Sequence, residues 1–120
     1  MNEYVIGFGY HEPESYAAWE RGVTEDFESS TGIFISAPTK EEALRWGEVV
    51  AGELFRRLNP KEARTWKEVG HDLWIEENPA SCSWKHCLGF FQHVHVGEAP
   101  DFTEMGTPAY VRWMKAHEKI

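Results

Sequence analysis

Residues 38–59 read PTKEEALRWGEVVAGELFRRLN, and this stretch decides the fold. Thr39 stands where a helix N-cap belongs, with Glu42 three residues later. That is the capping-box spacing, in which the hydroxyl and the carboxylate each satisfy an unpaired backbone N–H. Glu41 and Glu42 put negative charge at the positive end of the helix dipole, and Arg56 and Arg57 put positive charge at the other end. Asn59 precedes Pro60, and the residue before a proline is pushed out of the helical region, so the helix stops there. At about 100° per residue, Ala43, Leu44, Gly47, Val50, Ala51, Leu54, Phe55 and Leu58 fall on one arc about 140° wide. Such a stripe needs another layer to cover it. Gly47 lies inside it at a cost of about 1 kcal/mol against alanine, which predicts close approach to a sheet. Trp46 and Val49 fall outside the stripe, as a second packing layer under a loop or as part of an interface.

The flanking segments supply the strands. Residues 3–11, EYVIGFGYH, alternate with period two, putting Tyr4, Ile6, Phe8 and Tyr10 on one face and Val5, Gly7 and Gly9 on the other. The two glycines leave room for a packed helix or permit a bulge. They do not make a phosphate loop, which needs a third glycine and a following long helix. Residues 32–37, GIFISA, form a strand leading into the long helix. Residues 71–77, HDLWIEE, form another with Leu73 and Ile75 inside. Residues 90–96, FFQHVHV, form the last, with Gln92, Val94 and Val96 on one face and Phe91, His93 and His95 on the other. Short helices are expected over residues 13–21, over 60–69 with Asn59 as the cap and Glu62 three residues after it, and from Thr107, with Tyr110, Trp113, Met114 and His117 on its buried side. The sum is one α+β domain over residues 1–120: a single small sheet of three to four strands packed against one long helix, with shorter flanking helices.

A chain of 120 residues with 42% apolar residues can bury an adequate core without disulfide or metal staples. Six Trp, four Tyr and seven Phe serve a core and an interface equally well. The net charge of −8 opposes tracking of nucleic-acid phosphates and leaves open a basic protein partner. No apolar run reaches membrane-span length, so no membrane association is expected. Nor does the N-terminus carry the basic and apolar regions of a secretory signal. With only Cys82 and Cys87, a cytoplasmic protein with reduced thiols is the expectation.

Three stretches, DFESSTG at 26–32, WKHCLGFF at 84–91 and GTPAYVRW at 106–113, resemble a group of small bacterial proteins of uncharacterised function. The resemblance covers most of the chain and implies no activity, cofactor or catalytic residue. Residues 37–44 are also similar to the strand-to-helix junction of HicB-type antitoxins, through a capping box and good helix formers.

Two constellations bear on function. From Glu12 to Glu28 the chain holds six acids and one base, a net −5. Read blandly, this is a solvated helix and loop. Read functionally, it is a recognition surface for a basic protein, formed by Trp19, Glu20, Glu25, Asp26, Phe27 and Glu28. The second constellation is Cys82, His86, Cys87, His93 and His95, thiolates and imidazoles of the kind that bind Zn²⁺. His93 and His95 share a strand face and could reach one ion, but no C-x₂-C framework accompanies them. A Cys87–His thiolate pair is the nucleophilic variant of the same region. The dipeptides His11-Glu12 and His71-Asp72, and Glu76 beside Glu77, do not converge within themselves, and no Walker loop, G-x-S-x-G or H-E-x-x-H is present. The leading expectation is therefore a non-enzymatic, cofactor-free protein-binding domain, of the inhibitor or immunity type. The alternative is a small metal-binding protein or enzyme using the region from Cys82 to His95. A sheet-mediated homo-oligomer with a groove beside Tyr4, Phe8 and Tyr10 is the third reading.

Overall fold

The computed structural model describes residues 1–11, 22, 29–78, 86 and 88–117. Strand β1 (Asn2–Tyr10) pairs antiparallel with β2 (Ser29–Ala37) without a break, from Asn2 opposite Ala37 to Tyr10 opposite Ser29. Helix α1 (Lys40–Leu58) follows, then the short α2 (Trp66–Val69) and strand β3 (Leu73–Glu76), which pairs antiparallel with the other edge of β1. Strand β4 (His93–His95) runs parallel to β2, and helix α3 (Thr107–His117) ends the described chain. The sheet is mixed, in the order β3-β1-β2-β4. The architecture is the α+β sheet-and-long-helix arrangement read from the sequence.

α1 starts where its signals place it, with the Glu42 N–H donating to Thr39 Oγ1 at 3.2 Å. It covers the sheet face made by Ile6, Phe8, Tyr10, Ile33 and Ile35, all essentially buried with Ala43, Val50, Ala51, Leu54 and Phe55. Leu44 and Leu58 pack at the margin of this core. Gly47 is the point of closest approach. A Cβ added there would lie 2.8 Å from Ile6 Cγ2, so the helix sits at this depth only without a side chain. Trp46 proves to be the second packing layer, its indole N–H donating to the Glu98 carbonyl at 2.9 Å, while Val49 is 54% exposed.

Three expectations are corrected. The helix expected over 60–69 is a single turn at 66–69. Its cap is Thr65, whose hydroxyl accepts from the Glu68 N–H while the Glu68 carboxylate accepts from the Thr65 N–H. Asn59 instead closes α1, its backbone N–H donating to Phe55 O. The expected strand 90–96 is reduced to His93–His95, because Leu88–Phe90 form a 3-10 turn; flanking the strand, the Gln92 carbonyl accepts the Phe34 N–H at 2.8 Å and the Val96 N–H donates to the Ser36 carbonyl at 3.1 Å. Gln92 Nε2 donates to the Asp101 carbonyl and Gln92 Oε1 accepts the Asp101 N–H, each at 2.8 Å, a reciprocal pair that closes the loop 92–101. In α3, Met114 is 48% exposed rather than buried. The helix is held by buried Ala109 and by Tyr110 and Trp113, which stack on each other and meet Phe90 at centroid distances of 5.3 and 5.9 Å. The helix expected over 13–21 lies outside the described residues.

Candidate functional site

The end of β1 is tied down by bonds from three other elements. The Trp66 indole N–H donates to the Gly9 carbonyl at 2.7 Å, and the Gly9 N–H donates to the Asp72 carbonyl at 3.1 Å. Asn59 Nδ2 donates to the His11 carbonyl at 2.8 Å and to Phe55 O at 3.2 Å. His11 Nδ1 lies 3.0 Å from His71 Nε2, an N–H···N hydrogen bond between rings only 1% and 4% exposed. Phe55 meets His11 edge-on at 5.0 Å and His71 at 5.8 Å. Four elements thus converge on residues 9–11: the C-terminal end of α1, the N-cap turn of α2, the approach to β3, and β1 itself.

The sequence explains the convergence one element at a time. Phe55 belongs to the inner stripe of α1, so its ring must point at the sheet. Asn59 follows on the last turn, where its side chain is a spare donor. Thr65 starts a new helical turn and swings Trp66 inward. Gly70, at φ +106°, takes the left-handed conformation that ends α2 and delivers His71 to the sheet edge. A neutral imidazole pair can be buried because each ring offers one donor and one acceptor. Every buried side-chain nitrogen and oxygen among the described residues has a hydrogen-bond partner.

Beside this clamp, between α1 and the turn at 62–67, lies a cleft of about 560 Å³ whose floor includes Phe55 and Trp66. Its cations are already matched. Arg56 pairs with Glu53, Arg64 with Glu62 at 3.0 Å, and Lys67 with Glu48 at 3.5 Å. The Arg64 side chain and then its backbone N–H hold the Glu62 carboxyl down to about 2, with the charge of Arg64 adding to the effect.

The donor set proposed from sequence is only partly in view. Cys82 and Cys87 lie outside the described residues. His86 is exposed. His93 and His95 do share the exposed face of β4, but His93 Nδ1 is 2.8 Å from Glu3 Oε2 and its ring stacks on Phe34 at 4.2 Å. Among the described residues, no three His, Cys, Asp or Glu side chains converge on a point where an ion could sit. Trp19, Glu20, Glu25, Asp26, Phe27 and Glu28 also lie outside the described residues. Their segment is nonetheless located at its ends, since Tyr10 and Ser29 are register partners. Tyr10 and Ser29 thus set the ends of β1 and β2 side by side next to the clamp.

The His11–His71 pair escaped the sequence reading, which judged each histidine only against its neighbour in the chain. The signal that could have found it is the position of both at strand ends, directly beyond segments that pair. Among the described residues, no helix is long and apolar enough to cross a membrane. Comparison with family models, with characterised proteins and with solved structures gives no match.

Proposed function

We propose that the chain is a non-enzymatic binding domain, of the inhibitor or immunity type, that captures a basic protein through residues 12–28. The observation that carries this reading is positional. A segment of net −5 lies in sequence between the two central strands, whose adjoining ends, Tyr10 and Ser29, are register partners. Fixing both ends of a binding segment reduces the ordering cost of association. Concentrating its charge speeds encounter with a cationic partner and makes binding weaken in salt. Trp19 and Phe27 are the apolar anchors, and Glu20, Glu25, Asp26 and Glu28 supply the charge.

The test is affinity capture from the source lysate with chemical cross-linking, using wild-type protein and a variant with Glu25, Asp26 and Glu28 changed to Lys. The expected result is a basic protein cross-linked to residues 12–28, recovered at low salt and lost in high salt and in the variant. Equal recovery by both proteins, or cross-links confined to another surface, would refute the reading.

A further inference from the structure

We propose that the cleft between α1 and the turn at 62–67 binds a small amphipathic anion, a ring-bearing carboxylate whose apolar body lies against Gly52 and whose charge meets Arg56 and Lys67. The first observation is a glycine that the fold does not need. α1 contains two, Gly47 and Gly52. Each weakens a helix interior relative to alanine. At Gly47 the packing explains it, since a Cβ there would strike Ile6. At Gly52 a Cβ would meet nothing within 4 Å, so packing among the described residues gives no reason for the missing side chain. Gly52 lines the cleft of about 560 Å³. Its bare backbone is cleft wall, and a larger residue there would take up space that an occupant can use.

The second observation is the cleft's size and floor. Its volume falls within the range of about 300–1,000 Å³ usual for small-ligand sites. The floor is already in place. Phe55 is packed in the core, and Trp66 is fixed by the N–H it donates to the Gly9 carbonyl at 2.7 Å. Neither ring has to be ordered when a ligand arrives, which lowers the cost of binding.

The third observation sets the ligand's charge, and it is a count of acceptors and donors. Glu62 gives both oxygens to Arg64, Oε1 to Nε and Oε2 to Nη2, each at 3.0 Å, and Oε1 also accepts the Arg64 backbone N–H at 3.1 Å. Glu53 divides its two oxygens between Arg56 and Arg57. Those carboxylates have little left to offer a ligand. The donors are not used up in the same way. The Arg56 guanidinium carries five N–H groups and bonds Glu53 through Nη2. The Lys67 ammonium carries three and lies 3.5 Å from one oxygen of Glu48. Both side chains are exposed, so these pairs are weak and open to sharing with an incoming anion. A cation would find the second oxygen of Glu48; an anion finds two multiply donating groups beside an apolar floor. The preference is local, since the chain as a whole carries −8. None of the residues invoked belongs to segment 12–28, so the inference does not rest on the function proposed above.

The test is titration of the full chain with 2-naphthoate, followed by amide and indole shifts in the nitrogen-15 spectrum, with 2-naphthamide as the uncharged analogue. The naphthoate is expected to give saturable shifts centred on residues 52, 63 and 66 with a dissociation constant below about 1 mM, and the amide to bind at least about tenfold more weakly. Changing Arg56 and Lys67 together to Gln should bring the two probes to equal affinity. Gly52→Leu puts a side chain into the cleft and replaces a poor helix former with a good one. It is expected to raise the thermal midpoint and to abolish the naphthoate shifts. Absent or non-saturating shifts at those residues, equal wild-type affinity for the two probes, or undiminished binding by Gly52→Leu would overturn the proposal. A Gly52→Leu chain that fails to fold would overturn it too, because the space at position 52 would then be occupied by the protein itself.

Discussion

Phe55 and Phe34 each carry histidines, on opposite faces of the sheet. Phe55 belongs to the inner stripe of α1, is buried in the core, and meets His11 and His71 edge-on, with those two rings bonded to each other. Phe34 is half-buried on the opposite face and stacks flat on His93, which reaches across to Glu3. The same residue types therefore make a buried hydrogen-bonded pair in one place and a solvated surface pair in the other. Burial separates them. An exposed His–Glu pair gains little over its hydrated parts, whereas a buried ring deprived of its partner carries the cost of desolvation.

Replacing the two phenylalanines should give the widest contrast. Phe55→Ala removes a core ring and both edge contacts, and is expected to cost about 3–5 kcal/mol in urea unfolding. Phe34→Ala should cost about 1 kcal/mol, in line with partial burial. Equal losses would erase the distinction between the faces. The histidines come next. His71→Ala leaves His11 without this hydrogen bond in a buried site and should cost about 1–3 kcal/mol. His93→Ala should stay below about 1 kcal/mol, because Glu3 remains in water.

The smallest effect concerns Glu62, the anion beside the buried pair. Its carboxyl sits at about 2 against an ordinary 4.5, chiefly through the bond from Arg64. A carboxyl lowered by folding contributes stability that is complete above about pH 4.5 and is lost as the pH falls toward 2. Arg64→Met should return the Glu62 carboxyl toward 4.5 in a carbon-13 titration. A midpoint still near 2 would show that another group holds it.

The legible part of this protein was what local pattern controls. The stripe on α1, its Thr39 start, the glycine at its closest approach and the aromatic face of β1 follow from spacing along a single element. Where two local signals compete, the pattern misleads. Asn59-Pro60-x-Glu62 imitates a helix start, but Thr65 and Glu68 form the capping box, because Asn59 is already engaged at the end of α1. Gln92 fits a strand by alternation yet closes a loop through Asp101, a partner nine residues away. Least legible was the buried histidine pair. His11 and His71 are 60 residues apart, and their meeting depends on β3 joining the outer edge of β1. Nothing in the spacing of either residue encodes that pairing. His93 and His95, two residues apart, drew the eye for the opposite reason.

The most direct measurement is the nitrogen-15 spectrum of the imidazole rings in the intact chain. One ring proton coupled to both His11 Nδ1 and His71 Nε2 is the predicted result, with no such coupling at His93 or His95. Two rings that show no nitrogen–nitrogen coupling would contradict the buried pair at its root.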